Sequence, residues 1–336
     1  MFPELLEKLR RHEDLSTEEA ARAMGVIMDG NAQPSQIAAL LVGLTLKGER
    51  PTEVVGFATA MRQRATPLPA PVGPVFDTCG TGGDGAHTFN VSTAAALIVA
   101  GSGVRVAKHG NRAASSKCGS ADVFEALGIC LEGPADRVIR SLDHAQLAFF
   151  FAQAWHPSMR HAAPTRRELG VRTAFNLLGP LTNPANPARQ LIGVSRPEHT
   201  ELLARALGQL GSERAWVVYG AGGLDEISTL GHTKVSELHR GTVNTFYVHP
   251  ADAGLPVASV GDLRGGSAAE NAAMIEDVVG GGQGPRRDIA LLNAGASLLI
   301  AGVASSLRDG VERAAQTIAD GRARRVLARL REVSPK

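Results

Sequence analysis

The chain has 336 residues, 35 Lys and Arg against 33 Asp and Glu for a formal net charge of +2, 44% hydrophobic residues and 4% aromatic ones. At roughly 150 residues per domain this length suggests about two domains, with enough apolar residues for a sizeable core. The balanced charge argues against binding nucleic acid by bulk electrostatics, and so few aromatics leave little to stack single-stranded bases on.

The first segment reads as helices. Leu5, Leu6 and Leu9 recur at helical spacing, and Ser16 or Thr17 can cap a second helix with Glu18 and Glu19 in its first turn. Pro34 or Ser35 opens a third helix through Ile37, Leu40, Leu41 and Leu44, and Pro51 a fourth through Val54, Phe57 and Met61. The proline-rich stretch Pro67 to Pro71 reads as an extended linker, so residues 1–72 are expected to form an all-helical unit. Then the texture changes. A strand at Val75 to Asp77, a helix at Ser92 to Ala100 and a strand at Val104 to Ala107 make a β-α-β unit of a parallel sheet. Further strands are expected at Leu147 to Phe151, Gln190 to Val194 and Ala215 to Tyr219, and helices from His199, Ala268, Arg287, Gly310 and Arg322. Residues 165–187, with short helical pieces among prolines, are expected to return to the helical unit. That leaves 73–164 and 188–336 as the α/β domain. Cys79, Cys118 and Cys130 have no metal or redox spacing and suit thiols in a reducing compartment. The N-terminus carries no apolar signal core, and the apolar runs break well short of a membrane span, so a cytoplasmic protein without membrane partners is expected.

Three loops carry the chemistry. Asp77-Thr78-Cys79-Gly80-Thr81-Gly82-Gly83-Asp84-Gly85 leads from a strand to a helix start. Glycines let backbone N–H groups close on an anion, and a helix N-terminus adds free donors. The loop matches neither a Walker A motif nor the dinucleotide fingerprint. It gathers Asp84, Thr88, Asn90, Ser92 and Thr93 into one corner, which favours a phosphate or pyrophosphate cradle over an ordinary turn. Lys108-His109-Gly110-Asn111-Arg112 and Ser115-Ser116-Lys117-Cys118-Gly119-Ser120 follow the second strand and should face the same site, where Lys108 and the hydroxyls suit more phosphate oxygens. Asp225-Glu226, in a glycine loop after a later strand, suits Mg²⁺, which takes one or two carboxylates plus waters and substrate phosphates. One of Arg166, Arg167 and Arg172 can clamp a carboxylate, and a surface or inter-domain ion pair is the expectation for Arg167 and Arg172.

Together these motifs, with Asp29-Gly30-Asn31-Ala32, His156-Pro157, Asn176 to Pro184 and Ala269-Glu270-Asn271, resemble the anthranilate phosphoribosyltransferases over nearly the whole chain. The resemblance implies a small all-helical domain plus a larger α/β domain with a mainly parallel sheet, a nucleoside phosphorylase/phosphoribosyltransferase-like fold. It implies transfer of phosphoribosyl from 5-phosphoribosyl 1-pyrophosphate to anthranilate in tryptophan biosynthesis, with two Mg²⁺ ions per site, no nucleic-acid partner and a homodimer. Donor contacts then fall on Gly80, Gly83, Asp84, Thr88, Asn90, Val91, Ser92, Thr93, Lys108, His109, Gly110, Asn111, Arg112, Ala113, Ala114, Ser115, Ser116 and Ser120. Anthranilate contacts fall on Gly80, Asn111 and Arg166, and metal contacts on Ser92, Asp225 and Glu226. No dedicated catalytic acid or base is expected. Thr165 departs from the family pattern just before Arg166, and Met159-Arg160 does so after His156-Pro157-Ser158, neither touching an expected ligand contact. Pyrimidine nucleoside phosphorylases share a related glycine loop and Lys-His motif, but Gly110 stands where they typically carry Ser, and Asp225-Glu226 favours the transferase.

Overall fold

A computed structural model describes residues 1–113 and 117–335. Four helices open the chain: Phe2–Arg10 (α1), Thr17–Met28 (α2), Pro34–Lys47 (α3) and Pro51–Gln63 (α4). Ser16 starts α2 with a capping box: the Glu19 N–H donates to its Oγ at 3.2 Å, and its own N–H donates to the Glu19 carboxylate at 2.9 Å. Inside the bundle the Glu53 carboxylate is fully buried against the Lys47 ammonium at 3.0 Å. It also accepts from the N–H groups of Leu15 at 2.9 Å and Arg50 at 2.8 Å. Removing one partner of such a pair strands the other. Asp14 stays 2.8 Å from Lys47 and softens the loss. Glu53→Ala is therefore expected to destabilise the protein by about 3 kcal/mol, the low end for a broken buried pair. Urea unfolding measures this, and a loss within the noise of a surface mutation would contradict it.

Among the described residues seven strands form one sheet: Phe76–Gly80 (β1), Val106–Gly110 (β2), Leu147–Phe151 (β3), Arg189–Gly193 (β4), Arg214–Tyr219 (β5), Thr233–His239 (β6) and Thr242–Val248 (β7). Their order is β3-β2-β1-β4-β5-β6-β7, parallel through β5 and antiparallel for the last two. The chain winds outward from β1 to β3, then returns to lay β4 on the other side of β1. The carboxyl ends of β1 and β4 thus flank a topological switch point, where open α/β sheets bind ligands.

Side chains alternate across the sheet. Phe76, Leu191, Trp216 and Val218 enter one core with the helix Val91–Gly101 (α5) and the helices Pro285–Ala301 and Arg322–Val333. Ile192, Ala215 and Val217 enter another, shared with α1 to α4. α5 is apolar nearly all round and buried from Ala94 to Ala100, as a helix enclosed on every side must be. Between β3 and β4 the chain makes short helices, Ala163–Leu169 and Phe175–Leu178 among them, and Ala162, Ala174, Phe175, Leu177, Leu178 and Leu181 join the core of the four N-terminal helices. No helix among the described residues is long and apolar enough to cross a membrane.

Two features differ from the sequence reading. The first two strands lie further along than expected, because β1 pairs with β4 up to Gly80↔Gly193 and β2 with β3 up to Gly110↔Phe151. Lys108 and His109 are therefore strand residues on opposite faces, not parts of a loop after it. The β6-β7 hairpin is the second difference. Its turn is Arg240-Gly241, both with positive φ (51° and 77°), and Arg occupies a left-handed position usually signalled by Asn, Asp or Gly.

Candidate active site

β1 delivers Thr78, Cys79 and Gly80 to the switch point, and the chain then turns through Gly82, Gly83 and Gly85 at φ 65°, 70° and 72°. These left-handed positions need glycine, as the sequence suggests. Asp84 folds back to accept from the Ala86 N–H at 3.1 Å. The loop enters α5 through Asn90, so the helix starts at Val91, one residue before the expected Ser92. Asn90 makes no capping bond; its Oδ1 instead accepts from Asn271 Nδ2 at 2.9 Å. The free Ser92 N–H of the first turn donates to Glu226 Oε1 at 3.2 Å, placing a carboxylate on the helix's positive end.

Asp225 and Glu226 follow β5 and reach back over the tips of β1 and β4. The Gly82 N–H donates to Asp225 Oδ2 at 2.9 Å, and the Asp225 N–H approaches Asp84 Oδ2 at 3.5 Å. Gly80 and Gly193, paired in adjacent strands, open the slot for this loop. A β-carbon on either would strike Asp225, at the carboxylate for Gly80 and at the backbone carbonyl for Gly193. The sequence carries no signal for Gly193, since the contact that demands glycine is tertiary.

Below, Lys108 is almost fully buried. Its ammonium donates to the Thr78 carbonyl and lies 3.2 Å from Ser92 Oγ. The nearby acids outnumber it. Burial, then the neighbouring Asp84 charge, raises the Asp225 pKa; burial, then Asp225, raises that of Glu226. Acids held this way fit a divalent cation, which would relieve both effects. Among the described residues no three His, Cys, Asp or Glu side chains form a ready-made metal cage. That suits Mg²⁺, which keeps several waters and leans on substrate phosphates. Cys79 lies half-buried in the same corner, and burial, then the Asp77 charge, pushes its thiol pKa up, which disfavours the thiolate.

On the other face of β2 the His109 imidazole turns away from Lys108. Its Nδ1 is 2.9 Å from the Gly179 carbonyl, and burial followed by His156 lowers its pKa to about 3, so it is neutral. The His109 backbone N–H donates to Asp77 Oδ1 at 3.2 Å. Asp77 also accepts from Asn183 Nδ2 at 2.9 Å, and its pKa is raised to about 6 by burial. This buried knot ties β1, β2 and residues 179–183 together.

Beyond β2, Asn111 and Arg112 are exposed, and Gly110 has room for no side chain beside Ser120 and Phe149. Arg112 pairs with Glu125 at 3.0 Å and Asp122 at 3.2 Å, so its charge is already engaged. Asp122 also accepts from the N–H groups of Ala113 at 3.0 Å and Gly119 at 2.8 Å, shaping the loop. Ser120 opens the short helix Ser120–Ala126, with its Oγ 3.5 Å from the Asn111 carbonyl. Val91 and Thr93 are buried in α5, and Thr88 bridges to Arg264. Ala114, Ser115 and Ser116 lie outside the described residues.

Arg166, on the helix Ala163–Leu169, lays its guanidinium over the Phe175 ring 4.8 Å from the centroid. Burial lowers its pKa, and no carboxylate of the described residues pairs with it. Arg167 and Arg172 likewise lack the ion pair expected of them among the described residues. Arg167 is exposed, and Arg172 lies against Gly83 of the glycine loop.

The helical bundle domain of the glycosyl transferase family matches residues 3–65, and the a/b domain of that family matches residues 72–324. The anthranilate phosphoribosyltransferase of Moorella thermoacetica is 52% identical over 324 residues, covering 96% of this chain and 95% of that protein. That of Symbiobacterium thermophilum is 53% identical over 328 residues, covering 98% and 96%. Among solved structures, the anthranilate phosphoribosyltransferase of Thermus thermophilus superposes with a TM-score of 0.92 at 44% identity, covering 98% of each chain. The Saccharomyces cerevisiae enzyme in complex with PRPP and Mg superposes with a TM-score of 0.87 at 28% identity, covering 99% of this chain and 97% of that one. With both domains matched in order and about half of its residues shared over nearly the full length of such relatives, the chain belongs to the anthranilate phosphoribosyltransferase family.

Proposed function

We propose that this chain transfers the 5-phosphoribosyl group from 5-phosphoribosyl 1-pyrophosphate to anthranilate, releasing pyrophosphate, as a step of tryptophan biosynthesis. The observation that carries the reading is the meeting of the glycine loop with the acidic pair, Gly82 N–H on Asp225 at 2.9 Å and Ser92 N–H on Glu226 at 3.2 Å. A pyrophosphate donor needs amide donors and an acid-held cation in one place, and these elements supply both.

In this reading Asp225, Glu226 and Ser92 would hold magnesium, as two ions, which would supply neutralisation of the charge growing on the pyrophosphate oxygens. The glycine-loop amides donate to the same leaving group, and Lys108 fixes a positive charge beneath them. The sugar becomes oxocarbenium-like as the C1–O bond breaks, and the anthranilate nitrogen then bonds to C1. That amine is neutral at pH 7, so no strong base has to act before attack, and the substrate carboxylate takes the proton afterwards. Arg166 grips that carboxylate and aligns the amine, with Gly80 and Asn111 beside it. The division into residues 1–72 with 165–187 against 73–164 with 188–336, a cytoplasmic location and a homodimer belong to the same proposal.

Arg166→Ala should raise the anthranilate KM by about 10- to 100-fold, the range for losing a charge-assisted hydrogen bond, with the donor KM spared. Initial rates with each substrate varied check this, and equal damage to both would count against the assignment. The proposal as a whole is tested by anthranilate fluorescence. The signal should fall on mixing with enzyme, donor and Mg²⁺ and hold when any one is withheld. Phosphorolysis of thymidine or uridine without transferase activity would replace it with the phosphorylase reading.

A further inference from the structure

Arg172 lies on the turn between the helices Ala163–Leu169 and Phe175–Leu178, far along the chain from the glycine loop. Its side chain nonetheless crosses to that loop. A β-carbon on Gly83 would overlap Nη1 and come within 3.0 Å of Cζ, so the guanidinium lies directly on the turn that needs a glycine there. Burial lowers its pKa, with Asp225 and Asp84 opposing and Arg196 adding to the shift, and among the described residues it forms no ion pair with either acid. Its Nη2 is buried and meets no acceptor among the described residues. His199 beside it tells the same story: its Nδ1 is also buried without a partner among them, and the charges of Arg196 and Arg172 lower its pKa after burial and despite Glu198. An unpartnered buried Arg172 Nη2 at the Gly83 turn, with the unpartnered His199 Nδ1 in its electrostatic reach, suits an anion.

We propose that Arg172 is a ligand of the donor's pyrophosphate, holding it at the Gly83 turn of the glycine loop. This rests on the reading of the glycine loop as a donor cradle. Arg is suited to the task because its planar fork binds two phosphate oxygens at once. The opposite possibility is that Arg172 merely shields Asp84 and Asp225 and must be pushed aside, and the two differ in sign.

The test uses inorganic pyrophosphate with saturating Mg²⁺, titrated calorimetrically into the full-length native protein and into R172Q, R172A and R172K. Loss of the fork should weaken pyrophosphate binding by about 10- to 100-fold in R172Q and R172A, with R172K intermediate. The donor KM should rise by a similar factor while the anthranilate KM and the melting temperature stay near native. Unchanged or tighter pyrophosphate binding in R172Q would overturn the role of Arg172 and leave the donor cradle standing. Failure of the native protein to bind pyrophosphate at all would overturn both.

Discussion

Replacing Asp225 by asparagine and Glu226 by glutamine together should lower kcat/KM by about 100-fold or more, the scale of removing an electrostatic stabiliser from a transition state. The substitutions keep the acceptor oxygens that receive the Gly82 and Ser92 N–H groups, so the loop should hold its shape. What they remove is charge. Both carboxyls have pKa values raised by burial, so each costs stability once ionised. The sign follows from proton counting. A carboxyl with a raised folded pKa binds more protons when folded than when unfolded between its two pKa values. Stability therefore falls as pH rises through that window, and the cost stays in full above it. The metal-free double variant should accordingly melt higher than the metal-free native protein at pH 8, and the gap should shrink towards pH 4. Magnesium should raise the native melting temperature and leave the variant's unchanged. Lys108 keeps the Thr78 carbonyl and the nearby Asp77 as partners, so the variant should fold. Near-native turnover, with its magnesium dependence intact, would remove the acidic pair from the mechanism.

The second large effect is expected at a residue with no functional group. Gly193→Ala should lower kcat/KM by about 100-fold, because a misplacement of about 1 Å at a reacting centre costs that much. The backbone at Gly193 has no positive φ, so alanine is conformationally acceptable there. The conflict is steric, with the Asp225 carbonyl carbon and oxygen in its path. Backbone atoms cannot rotate aside, so either the end of β4 or the Asp225-Glu226 loop has to move. Thr81 N–H also donates to the Gly193 carbonyl at 2.8 Å, so the shift would reach the glycine loop. A stability loss of about 1–3 kcal/mol, typical of overpacking, should accompany it. Gly280→Ala, where a β-carbon meets nothing within 4 Å and φ is ordinary, is the matched control. Steady-state kinetics and thermal melts of the two variants check this; a native-like G193A would mean that the acidic loop is not held by that contact.

Which parts of this site could be read in the sequence follows from the range of the forces involved. Gly82, Gly83 and Gly85 announce themselves because left-handed backbone is a local demand. Asp225-Glu226 stands out because two adjacent acids follow a strand. Other features depend on partners distant in the chain. Lys108 and His109 look like loop residues until β3 extends β2 past them, and only then do they face opposite ways. Gly193 is ordinary in sequence and Arg172 reads there as an ion-pair partner; the Asp225 backbone and the Gly83 turn give them their place. The β6-β7 hairpin hides because Arg240 takes the conformation that Asn or Gly would have advertised. The four N-terminal helices are legible by the opposite logic, since proline starts and the Ser16–Glu19 box are written within a few residues of each helix.

The most direct test of the account is a crystal of the active native protein soaked with 5-phosphoribosyl 1-pyrophosphate and Mg²⁺. Density for the pyrophosphate should lie against the glycine loop at Gly83, with magnesium between it and the carboxylates of Asp225 and Glu226. Pyrophosphate bound elsewhere on the molecule, or magnesium seated away from both carboxylates, would contradict it.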